Sequence, residues 1–262
     1  MKRPDYQNWV PKPLTLAMFL GSAACGLLAQ CANTFLSGSM RRILVILFLF
    51  PGILLLLTGI YYFILRRIFD YNGNYQLSKK IIEYTAKHIT LPKGGVGLDV
   101  GCGSGALSIA CARRNPHGVM VGCDIWSGAY TKTFTQKLCE ENAKAEGVIN
   151  TRFTLGNAID LPFEDESFDA VTSNYVYHNI SGHNKQKLLR ETLRVLKKGG
   201  CFAIHDLMGK MRYGDMEVFL KELKEEGYEE VHLISTAHGE IMDPLPATLL
   251  GLGDSMLLYG KK

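Results

Sequence analysis

Carboxylates are almost missing from the front of this chain. The first 69 of its 262 residues contain one, Asp5, against seven Lys and Arg, whereas residues 70–262 carry 24 Asp and Glu against 22 Lys and Arg, so the front supplies all of the net +4 charge. The larger part is slightly acidic and lacks the clustered basic stripe that DNA or RNA requires, which excludes nucleic acid as a partner. The seven cysteines, at 25, 31, 102, 111, 123, 139 and 201, include no C-x-x-C pair and no His/Cys cluster of zinc spacing, so no metal site is indicated. Their odd number suggests free thiols in a reducing compartment. No internal repeat is present, which excludes a solenoid or propeller.

Charge of either sign is missing from two long stretches, Leu14–Leu36 and Ile43–Leu65, each 23 residues. About 20 apolar residues cross a bilayer, so each is long enough to span. The first also contains Gly21, Ser22, Cys25, Gly26, Gln30 and Asn33, small or polar residues that suit close packing against a second span. A cleaved signal is the alternative, with Lys2 and Arg3 as its basic start and Ser22-Ala23-Ala24-Cys25 as a poor cleavage site. The expected arrangement is a membrane anchor over residues 1–69, a two-span hairpin turning at Ser37–Arg42. Lys2, Arg3 and Lys12 on one flank and Arg66 and Arg67 on the other, against Arg41 and Arg42 in the turn, favour both termini inside. Residues 70–262 would then hang at the cytoplasmic face.

In that second part, apolar runs ending in glycine or acid alternate with helical periodicity. Strands are expected at 96–100, 119–124, 150–155, 168–173, 201–206, 230–235 and 256–259, with a helix over Tyr75–Thr90 ahead of them. This is an α/β parallel sheet. The run Asp99-Val100-Gly101-Cys102-Gly103-Ser104-Gly105 ends the first strand in glycines that let backbone approach a ligand, and a helix starts at Ala106. The same residues satisfy the dinucleotide fingerprint G-x-G-x-x-A, and an acid ending the second strand, Asp124, is common to both nucleotide families.

The downstream motifs decide between them. Asn157-Ala158-Ile159-Asp160-Leu161-Pro162-Phe163 leads into the strand at Phe168, and Leu193-Arg194-Val195-Leu196-Lys197-Lys198-Gly199-Gly200 precedes the strand at Cys201. With the glycine loop and Asp124, these residues resemble the class I S-adenosylmethionine (SAM)-dependent methyltransferases, most of all the group that includes the ubiquinone/menaquinone-biosynthesis enzymes. The resemblance covers residues 75–210 strongly and the last fifty weakly. It implies a Rossmann-like methyltransferase sheet, mostly parallel with the last strand antiparallel, and SAM as cofactor. Asp99 and the backbone at Gly101, Gly103 and Gly105 would hold the methionine part of SAM, Asp124 the ribose, and Ile125, Asn157, Ala158 and Asn174 would complete the pocket. Asn157 departs from the family pattern, which has an acid there; its carbonyl can still accept from the adenine amino group.

Acceptor chemistry is expected beyond the carboxyl ends of the strands. His178, in the loop after the fourth strand, is the candidate base, and His205 a second; loop packing is the competing role for both. The apolar stretch Met242–Gly253 would line an acceptor tunnel, rest on the bilayer, or pack as core. The expected activity is methyl transfer from SAM to a small lipophilic acceptor, with the oligomeric state left open. A nicotinamide-dependent reductase and a non-catalytic SAM-binding membrane protein are the alternatives. The reductase reading lacks its usual Tyr-x-x-x-Lys after the glycine strand: the one such pair, Tyr75 and Lys79, precedes it.

Overall fold

A computed structural model of the chain describes residues 3–127 and 133–262; Lys2, counted above on the first basic flank, lies outside them. The described chain forms two bodies, one of residues 8–78 and one combining residues 3–7 with 79–262.

The first body is an antiparallel helix pair, α1 (Lys12–Phe35) and α2 (Gly38–Phe69). Both exceed the charge-free stretches, and the turn is tighter than the sequence suggests: Gly38–Arg42 is already helical, leaving Leu36 and Ser37 extended between the helices. Small residues let the two backbones approach closely. Ser22 Oγ donates to the Gly52 carbonyl at 2.8 Å, and a Cβ added at Gly52 would lie 3.0 Å from Cys25 Cβ. At Gly59 an added Cβ would press on Phe19 at 3.1 Å. The remaining surface is apolar and uncovered: Leu20, Leu27, Phe35, Ile46 and Phe50 are 61–81% exposed. Trp9 and Phe69 pack at 5.3 Å between centroids near the chain entry and exit, where Asn8 Nδ2 donates to the Arg66 carbonyl at 2.8 Å.

The second body is built on a seven-stranded sheet: β1 (Val96–Val100), β2 (Val119–Asp124), β3 (Thr151–Leu155), β4 (Phe168–Asn174), β5 (Leu196–Leu207), β6 (Glu230–Ser235) and β7 (Ser255–Lys261). The strand order is β3-β2-β1-β4-β5-β7-β6. The pairings through β5 are parallel, and β7 runs antiparallel to both β5 and β6. Six strands match the sequence reading to within a residue or two. The fifth begins five residues early because Leu196 pairs with Phe168 across a register shift before the main ladder resumes at Cys201.

The strand alternation places the site. Leu98 and Val100 of β1 point into a core with Val171, Phe202 and Ile204, and that core is closed by α6 (Lys185–Arg194) and α8 (Met216–Glu225) through Leu189, Leu193, Phe219 and Leu223. Asp99, between Leu98 and Val100, points to the other face, against α4 (Ala106–Arg114). Each fully buried Leu, Ile or Phe contributes about 1.5–3 kcal/mol, so this double-sided burial fixes β1 and β4 and the loops at their carboxyl ends. Ahead of the sheet, α3 (Leu77–Ala86) is shorter than the Tyr75–Thr90 helix expected, starting after Gln76 at φ +52° and ending in single i→i+3 turns at His88 and Ile89.

Candidate active site

The loop after β1 owes its shape to three glycines in left-handed conformations, each constrained differently. At Gly101 (φ +72°) an added Cβ would collide with the Val176 side chain, so this glycine lets the loop after β4 pack onto the loop after β1. At Gly105 (φ +81°) the Cβ would press on the Phe153 ring and Cys139 Cβ at 3.1 and 3.2 Å. Among the described residues, the nearest atom to a Cβ added at Gly103 (φ +55°) belongs to Phe134, at 3.9 Å. That position is a cradle which a side chain would fill, open to a ligand that must touch backbone.

The loop is pinned from below. The N–H groups of Gly101 and Cys102 donate to the Cys123 carbonyl at 2.8 and 3.1 Å. Gly103 N–H donates to Asp124 Oδ2 at 2.9 Å, and Trp126 N–H to Asp124 Oδ1 at 2.8 Å. Asp124 thus stands beside the cradle with one backbone bond on each oxygen, leaving acceptor capacity for ribose hydroxyls. Trp126, at φ +38°, donates its indole N–H to the Gly103 carbonyl at 3.0 Å; sequence reasoning missed it, and its place two residues after Asp124 was the only signal. Gly105 caps α4 with no side-chain acceptor; of the first-turn N–H groups, that of Ser108 is bonded to Asp99, and those of Ala106 and Leu107 have no intrahelical partner.

Asp99 lies beneath the loop instead of lining the cradle. It is 1% exposed and accepts from Ser108 Oγ at 2.6 Å; burial pushes its pKa up to about 7 against the opposing bonds from Ser108. Its geometry is that of a strut between β1 and α4. Of the other residues expected in the cofactor pocket, Ala158 is buried and Ile125 half exposed. Asn157 is exposed and spends its carbonyl on the Ile159 N–H at 3.0 Å, closing its own turn.

The loop after β4 divides its residues between packing and chemistry. Tyr177 is fully buried and bonded to Thr192 Oγ1 at 2.6 Å. Tyr175, at φ +55°, bonds Ser255 Oγ at 2.6 Å, and its ring stands edge-on to those of His178 and His205. His205 is fully buried with both ring nitrogens engaged, Nδ1 to Asn174 Oδ1 at 2.9 Å and Nε2 to Thr236 Oγ1 at 2.8 Å. Burial lowers its pKa to about 4. This corrects the expectation of His205 as a base: it is neutral, enclosed, and ties β4, β5 and the end of β6 together. Asn174 likewise spends its carbonyl on His205.

His178 differs. Its side chain is 20% exposed, and its Nδ1 lies 2.5 Å from Asp206 Oδ1. Asp206 is fully buried and also accepts from the backbone N–H groups of Tyr177, His178 and Leu207 at 2.8, 3.2 and 2.6 Å. Burial alone would push its pKa up; the bond from His178 and the Leu207 N–H outweigh it and hold the carboxyl below its ordinary value. A buried carboxylate therefore fixes the Nδ1 side of His178 and leaves Nε2 without a hydrogen bond among the described residues. Among the described residues, no cluster of three His, Cys, Asp or Glu is placed to hold a metal ion.

The methyltransferase domain family model matches residues 98–204, from β1 into β5, the segment that holds the cradle and the loop carrying His178. These residues carry a SAM-dependent methyltransferase domain. Demethylmenaquinone methyltransferase of Listeria monocytogenes is 34% identical over 134 residues, 51% of this chain and 53% of that protein. The protein of the same name from Geobacillus stearothermophilus is 35% identical over 115 residues, 44% of this chain and 46% of its own length. The chain thus spans about half the length of the relatives it matches. Among solved structures, a geranyl diphosphate methyltransferase in complex with GPP and sinefungin superposes with a TM-score of 0.53 at 14% identity, over 72% of this chain and 80% of that one. The [4+2]-cyclase SpnF superposes with a TM-score of 0.50 at 21% identity, over 73% and 83%. Those two likenesses concern the fold, which accommodates methyl transfer in one and cyclisation in the other. What the methyltransferase domain does in this chain rests on the site.

Proposed function

We propose that the whole chain is a membrane-anchored methyltransferase that moves a methyl group from SAM to a lipophilic, hydroxyl-bearing acceptor of the quinol type. The observation that carries the cofactor half is the cradle: Gly103 in left-handed conformation, with no described residue nearer than Phe134 to its missing side chain, beside a partly free acid and the start of α4, which has no side-chain cap. SAM fits these groups, its carboxylate to the N–H groups, its chain against Gly103 and its ribose on Asp124. Bound there, SAM supplies an electrophilic methyl on a sulfonium. The protein's part is alignment and water exclusion.

His178 is the proposed base. With Nδ1–H donated to Asp206, the Nε2 lone pair can take the proton of an acceptor hydroxyl as its oxygen, or the ring carbon conjugated to it, attacks the methyl. Asp206 acts through His178 by fixing its tautomer and stabilising the imidazolium. Gly101 is what brings this loop against the cradle, since only a glycine there admits Val176.

The lipophilic acceptor is supported by the relatives' name, demethylmenaquinone methyltransferase, and by the helix pair. The two helices are only 11% buried over their most apolar windows, unlike the core helices of a soluble protein, and a bilayer is the solvent that suits them. Residues 3–7 belong to the catalytic body, so the chain leaves that body, enters the helix pair and returns. A two-span hairpin keeps both ends on one side, and the five-to-two basic excess favours the cytoplasm for that side. The proposed boundary between anchor and catalytic domain is Phe69, where α2 ends, ahead of the division of the two bodies after Ser78.

The test is a full-length preparation in detergent, incubated with methyl-labelled SAM and demethylmenaquinol. Label in the lipid-soluble fraction, lost in His178→Ala, supports the proposal; S-adenosylhomocysteine binding without transfer to any quinol or lipid extract leaves a SAM-binding protein of another role.

A further inference from the structure

Residues ahead of the first hydrophobic helix reach the cofactor loop. Asp5 N–H donates to Asn142 Oδ1 at 2.7 Å, and Asn142 Nδ2 donates back to the Asp5 carbonyl at 2.9 Å. The same Nδ2 donates to the carbonyl of Ser104, in the middle of the glycine loop, at 3.0 Å. Ser104 Oγ donates to the Tyr6 carbonyl at 3.0 Å. The Tyr6 ring is 4% exposed, and its hydroxyl donates to Glu146 at 3.2 Å, one residue beyond α5 (Gln136–Ala145), the helix that carries Asn142. Asn142 itself is 2% exposed. Ser104 is thereby held at both its carbonyl and its hydroxyl.

From these bonds we infer that the N-terminal segment is a working part of the SAM site: Asp5, Tyr6 and Asn142 are positioning residues that hold the Gly101–Gly105 loop in its ligand-ready shape. The inference rests on the cofactor reading above. The physical reason is the loop's composition. Three left-handed glycines in five residues give it high conformational freedom in the absence of constraint, and fixing one residue's backbone costs about 1–2 kcal/mol. Beneath the loop, Cys123 and Asp124 fix Gly101, Cys102 and Gly103; Ser104 is fixed by the strap. A site ordered before the ligand arrives binds more tightly, because ordering is not deducted from affinity.

The experiment compares full-length protein in detergent with two variants: deletion of residues 4–7, which retains Lys2 and Arg3, and Asn142→Ala. S-adenosylhomocysteine is titrated calorimetrically at a temperature where all three are folded, and amide hydrogen exchange is followed at Gly101–Gly105 without ligand. The expected result is about tenfold weaker binding in both variants, the equivalent of 1.4 kcal/mol, with faster exchange in the loop and unchanged exchange in β4 and β5. If Asn142→Ala does not fold, the deletion alone carries the test, because it leaves α5 intact. Wild-type protein that binds while the deletion binds equally well overturns the strap. Wild-type protein that fails to bind overturns the cofactor reading instead.

Discussion

Replacing Gly103 by alanine separates ligand approach from folding, because among the described residues the new Cβ would meet only Phe134, at 3.9 Å, an ordinary contact. The cost to the fold is conformational: holding alanine at φ +55° takes about 1–2 kcal/mol. For a body of this size each kcal/mol lowers the melting midpoint by about 2–4 °C, so Gly103→Ala should melt about 2–8 °C below wild type. Its methyl would occupy the volume proposed for SAM, and S-adenosylhomocysteine affinity should fall at least about tenfold. Gly101→Ala is the contrasting control. It carries the same strain plus a collision with Val176, and overpacking of this kind costs about 1–3 kcal/mol more. Its midpoint should fall further, by roughly 4–20 °C in all. Scanning fluorimetry for the midpoint and calorimetry for affinity make up the assay. A Gly103→Ala protein that binds S-adenosylhomocysteine as wild type does would refute the cradle.

The acceptor-side residues should separate in the same way. His178→Ala should lower kcat by about 10²–10⁴-fold while leaving S-adenosylhomocysteine affinity unchanged, measured by labelled-methyl turnover and calorimetry. Asp206→Asn should act in the same direction: three backbone N–H groups already point at its oxygens, so the amide nitrogen is best placed toward His178 Nδ1, which moves the ring proton onto Nε2 and removes the base; a wild-type kcat in that variant would remove the dyad. His205 is neutral in the fold with a pKa near 4, whereas its unfolded imidazole gains a proton below about 6.5, so acid favours unfolding across that window by up to about 3 kcal/mol. Buried Asp99 has the opposite sign, its contribution declining as pH rises from 3.8 toward 7, so the His205 effect is read as the pH-dependent difference between wild type and His205→Gln. A constant difference in midpoint from pH 6.5 to 4 contradicts the neutral assignment. In the helix pair, Gly52→Leu should force the helices apart at Cys25 and lower the thermal midpoint of the detergent-solubilised hairpin, whereas Phe50→Leu, on the exposed surface, should not.

The parts of the fold legible in the sequence are those written in local pattern. The glycine run after Asp99, the acid ending β2 and the seven apolar strands depend on neighbours in sequence, and β7 was recognised as the antiparallel strand by resemblance. What was not legible depends on non-local pairing. The early start of β5 follows from Leu196 meeting Phe168. His178 and His205 look alike as histidines in apolar surroundings; the fold makes one an enclosed tie between Asn174 and Thr236 and leaves the other on a buried carboxylate with one nitrogen open. Asp206 gave no sign of its role because its three backbone donors come from residues 28 and 29 positions earlier and from its own neighbour. The strap at Asp5 and Tyr6 is the extreme case, with bonds spanning 98 to 140 residues from a segment that reads as a polar lead-in to a hydrophobic helix.

Methyl transfer itself is the most direct test of the account. Full-length protein in detergent, supplied with methyl-labelled SAM and demethylmenaquinol, should pass label into the lipid-soluble product, with Asp124→Ala losing it through cofactor affinity and His178→Ala through turnover. Protein that binds S-adenosylhomocysteine yet transfers no label to that quinol or to any membrane lipid extract contradicts the claim that this site is a methyltransferase for a lipophilic acceptor.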